Sequence, residues 1–409
     1  MLSPSVFLPL FPLLYPPAPV RICLFTPTFY PHVGGAELDA DLIARGLVAR
    51  GHRVTVLTQK LKAGPPPADL PYPVAFYRRL FKQHRLPAAP ALALHRLHKR
   101  ERFDAVLAFY SYPCGYAAVR WGRRERRRGR ERPGIVLSPR GGDLYPRFHG
   151  LKKRGVPEVI AKGYRAADRI VSISAWISDR LREVCAPHDT PPTTVVFNGL
   201  DLDAWDAEAA EARKLAPVID GPFVLHLARV APVKRQDLAV DAVTELADAF
   251  RARGLRYVIV GEGELLGPLR STVAERGLQD VLSLPGTIGG LEKSWLFHHA
   301  RFFSSTSREE GLGNVTLEAM ASGLPMLASD IGPHRELIGE DPATSWGRLW
   351  KSEDLPSCVA ALRAMLDEDL GVLRERALRE RTRYTRAAMI DGYEAALEAA
   401  VEDAAGAPR

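Results

Sequence analysis

The sequence predicts an α/β protein built from two consecutive doubly wound domains. Three observations carry that prediction. Short apolar runs recur along the chain at the length of buried strands, with helical or loop stretches between them. Glycine turns follow several of these runs. The series also pauses near residue 200 and then begins again. A chain of 409 residues exceeds what one hydrophobic core usually serves, and 46% apolar residues suffice to fill two.

The first nineteen residues are apolar but interrupted by Pro4, Pro9, Pro12, Pro16, Pro17 and Pro19. Such a run makes a poor membrane-spanning helix, and residues 1–19 read as a disordered extension or a misplaced start rather than a targeting signal. Val20–Thr26 is the first strand. Gly34 and Gly35 then form a turn that opens a helix, with Leu38, Leu42, Ile43 and Leu47 at helical spacing and Gly51 as its stop. Val54–Thr58 resumes as a strand, which completes a βαβ unit of a parallel sheet. Ala105–Ala108, Ile135–Ser138, Ile170–Ser174 and Thr194–Phe197 continue the pattern; Lys60–Leu97 stays unassigned. This gives a first domain over residues 20–197.

Residues 198–214, from the turn Asn198-Gly199-Leu200-Asp201 through an Ala- and Glu-rich stretch, read as an interdomain linker. Phe223–Leu227, Tyr257–Val260, Val281–Leu284, Arg301–Ser304 and Pro325–Ala328 supply a second parallel series, giving a domain over 215–385. Residues 386–409 read as a C-terminal helix, free to pack back on the first domain.

Composition narrows the partners. A formal charge of +8 favours anionic ligands. The four cysteines have no metal-type spacing, which suits a reducing cytosol and argues against a disulfide framework.

The most specific segment is Arg308-Glu309-Glu310-Gly311-Leu312-Gly313-Asn314-Val315-Thr316-Leu317-Glu318, which follows a strand. Gly311 and Gly313 let the backbone approach a ligand closely. Asn314 is placed to cap a helix running to about Ala321, whose first N–H groups would face a phosphate. Glu310 falls in the loop at the strand's carboxyl end, where open α/β sheets bind ligands, and Glu318 falls one turn inside the helix.

These residues resemble the retaining glycosyltransferases of the GT4 family, which have the GT-B fold: two Rossmann-like domains facing a central cleft. Further segments are similar to family landmarks in the same order: Gly34-Gly35 with Glu37, Ala167–Ser174, Asn198–Asp201, Arg229 with Lys234, and Gly261-Glu262-Gly263. The resemblance implies that Glu310 engages the donor sugar and Glu318 the ribose hydroxyls, with Gly34, Gly35, Gly261, Gly263, Gly311, Gly313, Asn314 and Val315 around the donor. It makes Arg229 and Lys234 a clamp on the leaving diphosphate, a fork and a point charge aimed where negative charge grows. The co-substrate is then a nucleotide sugar, no further cofactor is needed, and the acceptor is a glycan, glycolipid or small molecule. Retention and a place in cell-surface polysaccharide or glycolipid synthesis are implied in the same way. A nucleotide-sugar 2-epimerase on this fold and a non-catalytic sugar-nucleotide-binding module are the alternatives.

Two departures from the family stand out. Arg140, in Ser138-Pro139-Arg140-Gly141-Gly142-Asp143, takes the place of a usual histidine. Arginine cannot serve as a general base, but it could bind phosphate or an acidic sugar, with His149 supplying an imidazole nearby. Gly332-Pro333-His334-Arg335-Glu336 stands where paired glycines are common.

No metal site is expected. The Asp-x-Asp triplets at Asp39/Asp41, Asp201/Asp203 and Asp367/Asp369 do not lie together at a strand end, and residues two apart on a helix do not face each other. Finally, Arg120–Arg132 carries Arg123, Arg124, Arg126, Arg127, Arg128 and Arg130. A solvated helix face and peripheral contact with an anionic membrane, at the inner face of the cell membrane of a cytoplasmic protein, both stay open. With no aromatic interleaving beyond Trp121, nucleic acid is not expected.

Overall fold

The computed structural model describes residues 18–406, apart from 32–33, 61–63, 79–87, 146–151 and 153–154. His149 and most of the N-terminal extension lie outside the described residues.

The first sheet contains β1 (Arg21–Phe25), β2 (Arg53–Gln59), β3 (Val74–Tyr77), β4 (Ala105–Phe109), β5 (Gly134–Ser138), β6 (Arg169–Ser172) and β7 (Thr193–Val195). Their order is β3-β2-β1-β4-β5-β6-β7, and every pairing is parallel. All residues of β4 and β5 are buried, as expected of strands covered by helices on both faces.

The second sheet contains β8 (Phe223–Leu227), β9 (Arg256–Val260), β10 (Leu282–Gly286), β11 (Phe303–Ser305), β12 (Met326–Ser329) and β13 (Gly347–Trp350), in the order β10-β9-β8-β11-β12-β13. Both sheets therefore reverse direction once, at β1/β4 and at β8/β11. Such reversals open a crevice beyond the carboxyl ends of the strands.

Two strands, β3 and β13, were not expected from sequence. Two further details differ from the sequence reading. Leu38 faces outward at 40% exposure, while Asp39 and Asp41 take buried places on the helix Gly35–Ala49. The stretch expected as linker holds a helix, Leu202–Ala212, N-capped by Asp201. Trp205 on that helix meets Phe297 edge-on at 5.8 Å, so it packs on the second domain.

The helix Arg386–Gly406 lies against the first domain. Its Met389, Ile390, Tyr393 and Leu397 join Ile22, Leu24, Ile43 and Leu107 in one core. The two passages of the chain between domains run side by side: Leu200 N–H donates to Tyr384 O at 2.9 Å and Arg386 N–H to Leu200 O at 2.7 Å. A Cβ on Gly199 would stand 2.2 Å from Thr385 O, so only glycine fits this crossing.

Candidate active site

The site forms where loops after β8, β9 and β11 meet the loops of the first domain. Arg229 follows β8 and is exposed, with no side-chain partner among the described residues. Lys234 follows in a short turn, Pro232–Lys234. This loop is tied to the one after β11: Arg308 N–H donates to Val233 O at 2.8 Å, and the Thr306 hydroxyl to Lys234 O at 2.8 Å.

Gly261 and Gly263 set the position of Arg229 from behind. With φ of 143° and 158°, a Cβ on them would lie 1.9 Å from Ala228 O and 2.0 Å from Val230 O. Glycine is required because the loop after β9 presses directly on the backbone that carries Arg229. These two glycines act through that backbone contact.

The structure joins two residues that the sequence had placed in separate tasks. Lys234 Nζ donates to Glu310 Oε1 in a part-buried ion pair. Burial pushes the Glu310 carboxyl up, but the Lys234 ammonium, nearby His334 and hydrogen bonds from Lys234 and Ser307 outweigh it and hold it below the usual range. Glu310 is therefore an anion at neutral pH, fixed in the loop after β11 by Lys234.

Glu318 sits one helical turn away in a different setting. Lys293, on the helix Gly290–His299, donates to its Oε1 at 2.5 Å, while its Oε2 is buried without any partner. Burial dominates, and its carboxyl is pushed above the usual range despite Lys293. An unsatisfied buried acceptor is costly to the fold. Lys293 was not foreseen: beside Glu292 in a helix, it reads as ordinary surface charge.

Asn314 corrects an expectation. The helix Asn314–Ala321 is preceded by Gly313 at φ 90°, and the Asn314 side chain does not cap it. It reaches the first domain, donating to Asp39 Oδ1 at 2.8 Å and accepting from Asn198 Nδ2 at 2.7 Å. Gly35 makes room for it, since a Cβ there would lie 3.4 Å from Asn314 Nδ2. Gly34 directly precedes the helix Gly35–Ala49, and Val315 is half-buried.

Arg140 departs most from its expected role. Its guanidinium, 2% exposed, donates to Tyr393 Oη at 3.0 Å, to Asn198 Oδ1 at 2.9 Å and to Asp39, and lies over the Phe109 ring at 4.7 Å. It is buried among these structural partners, and its Nε has none among the described residues. The backbone of its loop matters instead: a Cβ on Gly311 would lie 2.8 Å from Arg140 O, and the Ser174 hydroxyl donates to Gly311 O at 2.9 Å. Gly311 thus carries the close approach of the two domains. Glu336 adds a further bridge, accepting from Ala175 N–H at 2.7 Å and Trp176 N–H at 3.2 Å.

The triplet Asp39/Asp41 points two ways: Asp39 into this network, Asp41 to Tyr30, Tyr72 and Arg45. Among the described residues, no cluster of three or more His, Cys, Asp or Glu could hold a metal ion.

Two family models fit this arrangement end to end. The description "Glycosyltransferase Family 4" matches residues 33–204, and "Glycosyl transferases group 1" matches 208–385. The chain belongs to the GT4-type glycosyltransferases. Its curated relatives include the sulfoquinovosyl transferase SQD2 of Arabidopsis thaliana, 32% identical over 54% of this chain and 42% of that protein. A GDP-mannose:cellobiosyl-diphosphopolyprenol alpha-mannosyltransferase of Xanthomonas oryzae is 27% identical over 61% of this chain and 63% of its own length. The chain thus matches between 42% and 63% of the lengths of these relatives.

Solved structures share the GT-B fold. Sucrose-phosphate synthase of Thermosynechococcus elongatus superposes with a TM-score of 0.74 at 16% identity, covering 92% of this chain and 98% of that one. Anabaena HepE, solved in complex with UDP and glucose, gives 0.74 at 16% identity, covering 93% and 99%. Membership in this family does not favour the epimerase or the non-catalytic module.

Proposed function

We propose that this GT4-type protein transfers a hexosyl group from a nucleotide-diphosphate donor to an acceptor hydroxyl, with retention at the anomeric carbon. The observation that carries the reading is the group of charges at the β8/β11 crevice: Arg229 unpartnered, Lys234 paired with Glu310, and the start of the helix Asn314–Ala321 beside them. A helix start offers N–H groups with no intrahelical acceptor. When the bond between the anomeric carbon and the diphosphate oxygen breaks, negative charge grows on the diphosphate, and fixed cations and N–H dipoles lower that barrier. The acceptor oxygen attacks the same face of the sugar, and its proton passes to the departing phosphate. Glu310 faces the sugar as an anion, and Glu318 Oε2 accepts from a ribose hydroxyl. This charge set neutralises the diphosphate without a divalent cation.

A thermal-shift screen of nucleotide sugars tests the donor class, because a ligand that binds only the native state raises the unfolding midpoint. Donors that shift it are then assayed for hydrolysis and transfer, with Glu310→Gln as the comparison. Turnover by Glu310→Gln at the parent rate would remove the assignment. Turnover abolished by EDTA and restored by magnesium or manganese would remove the metal-free charge set.

Synthesis of cell-surface polysaccharide or glycolipid at the cytoplasmic membrane face belongs to the same proposal. No helix among the described residues is long and apolar enough to cross a membrane. In the helix Tyr116–Arg127 the apolar face is already used by the protein: Trp121 is 5% exposed and donates to His95 at 3.1 Å. Arg123, Arg124, Arg127 and Arg128 are exposed, so the contact with anionic lipid is electrostatic and lacks insertion. Loss of vesicle co-sedimentation on neutralising these four, and its suppression by salt, would bear this out; no binding by the parent at low salt would end it.

A further inference from the structure

The opposite pole of the first domain, at the amino ends of its strands, carries a second concentration of arginine. A cavity of about 710 Å³ opens there, lined by Arg21, Arg102, Arg126, Arg130 and Arg132 together with His98. Arg21 begins β1, and Arg132 lies just ahead of β5. The candidate active site lies beyond the carboxyl ends of the strands, so the two features share no residue.

The charges in this cavity are incompletely matched. Arg21 pairs with Asp104 at 2.6 Å, Arg132 forks onto Asp168 through two bonds of 2.6 Å, and Arg130 reaches Glu125 at 3.3 Å. Arg102 and Arg126 have no ion pair among the described residues, and both are exposed. Among the described residues, the acids lining the cavity are Asp104, already bound to Arg21, and Glu131. On the cavity's histidine, Nδ1 of His98 is buried with no hydrogen-bond partner.

Crowding like charges into a concavity costs energy unless a counter-charge enters, and a cleft lined by one sign focuses its field on such an ion. Guanidinium forks match phosphate oxygens with paired hydrogen bonds, which a scattered ammonium group does not do. The cavity volume exceeds that of a single inorganic ion. Val401, Ala404 and Ala405, at the end of the helix Arg386–Gly406, complete the lining with uncharged side chains.

We propose that this cavity is a second binding site, separate from the donor site, for an anion carrying two or more phosphate charges. Arg102 and Arg126 supply the free forks, and Arg21, Arg130 and Arg132 supply the surrounding positive field. The anion is either a soluble polyphosphate ester or a phosphate-bearing lipid headgroup; the chemistry recognised is the same.

The test uses the full chain carrying Lys234→Ala, which weakens phosphate binding at the donor site. Inorganic tripolyphosphate is titrated calorimetrically into this protein, into the same protein with Arg102→Gln and Arg126→Gln, and into a charge-matched control with Arg123→Gln and Arg124→Gln. The cavity pair should raise Kd by about tenfold or more, as expected for losing two charge-assisted contacts. The control should change it by less than about threefold, the size of a diffuse screened effect. All four arginines are exposed, so the unfolding midpoints should coincide. Equal weakening by both pairs, or no weakening by the cavity pair, would overturn the proposal.

Phosphatidylcholine vesicles with and without phosphatidic acid then separate the sources. A clearly larger loss of phosphatidic acid-dependent sedimentation in the cavity variant than in the Arg123→Gln, Arg124→Gln control assigns a headgroup, and an equal loss in both leaves no headgroup to the cavity. Retained sedimentation together with weakened tripolyphosphate binding assigns a soluble anion. Failure of the Lys234→Ala protein to bind both probes would overturn the site itself.

Discussion

The two sheet reversals have the same topology and differ in what becomes of their charges. At β1/β4 the charges pair with one another: Asp39, Arg140, Asn198 and Tyr393 share a network, and Asp143 accepts from Ser111 N–H at 2.6 Å and from Tyr164 Oη at 2.8 Å, with Arg140 Nε, Asp143 Oδ1 and Ser111 Oγ left as buried atoms without a partner among the described residues. At β8/β11 groups are left over, namely the Arg229 guanidinium and the second oxygen of Glu318. A crevice in a doubly wound sheet therefore does not by itself define a ligand site. On the proposed function, the donor binds where the fold leaves a whole charge, that of Arg229, exposed and unpaired.

The sharpest way to break this comparison is to cut the network around Arg140. Arg140→Met should lower folding stability by about 3–5 kcal/mol, since it leaves buried Asp39 without its cation. Denaturant unfolding would measure the loss, and kcat of the protein that remains folded should fall far less than in the donor-site variants. If kcat collapsed while stability held, Arg140 would belong to the open side.

Next come the open-side cations. Arg229→Ala and Lys234→Ala should each lower kcat on the order of a hundredfold, because their partner charge grows along the reaction. A raised KM with unchanged kcat would mean ground-state binding only. Glu310→Gln should also lose turnover yet bind nucleoside diphosphate at least as tightly, because it releases Lys234 from its ion pair.

A smaller effect is expected at the orphan oxygen. Glu318→Gln should weaken nucleotide binding by about tenfold, the worth of one hydrogen bond to a charged acceptor, with little change in kcat. Deoxyribose nucleotides should bind both forms alike; a parent protein indifferent to the ribose hydroxyls would refute the contact.

The smallest effect is in pH. Glu310 has its carboxyl held below the ordinary range, so its pairing stabilises the fold fully above that range and is lost on acidification. Stability measured by urea unfolding from pH 6 down to about pH 4 should fall less steeply in Glu310→Gln than in the parent. Identical slopes would show that the pair contributes nothing net.

The architecture was legible because apolar runs such as Phe223–Leu227 and Ile135–Ser138 are long, uniform and bounded by turns. β3 was missed since Val74–Tyr77 is short and lies at a sheet edge with Phe76 42% exposed. The positions of Glu310, Arg229 and Lys234 followed from motif order, which records the loops in sequence. Their pairing did not, because whether Lys234 meets a phosphate or Glu310 depends on how two loops from different strands are laced together. Arg140 and Asn314 misled for the same reason. An arginine and an asparagine near glycines look available to a ligand, and only the position of Asp39, on a helix from another part of the chain, shows what holds them.

The return of the helix Arg386–Gly406 to the first domain has a consequence for biosynthesis. Tyr393 closes the Arg140 network and Met389, Ile390 and Leu397 complete the core over β1 and β4. The ribosome delivers them only after the entire second domain. The first domain therefore waits as an unfinished layer while its neighbour matures, and its final packing reports that translation has run through residue 400. A chain stopped short of that helix would present an uncovered apolar sheet, the kind of surface that chaperones and proteases recognise.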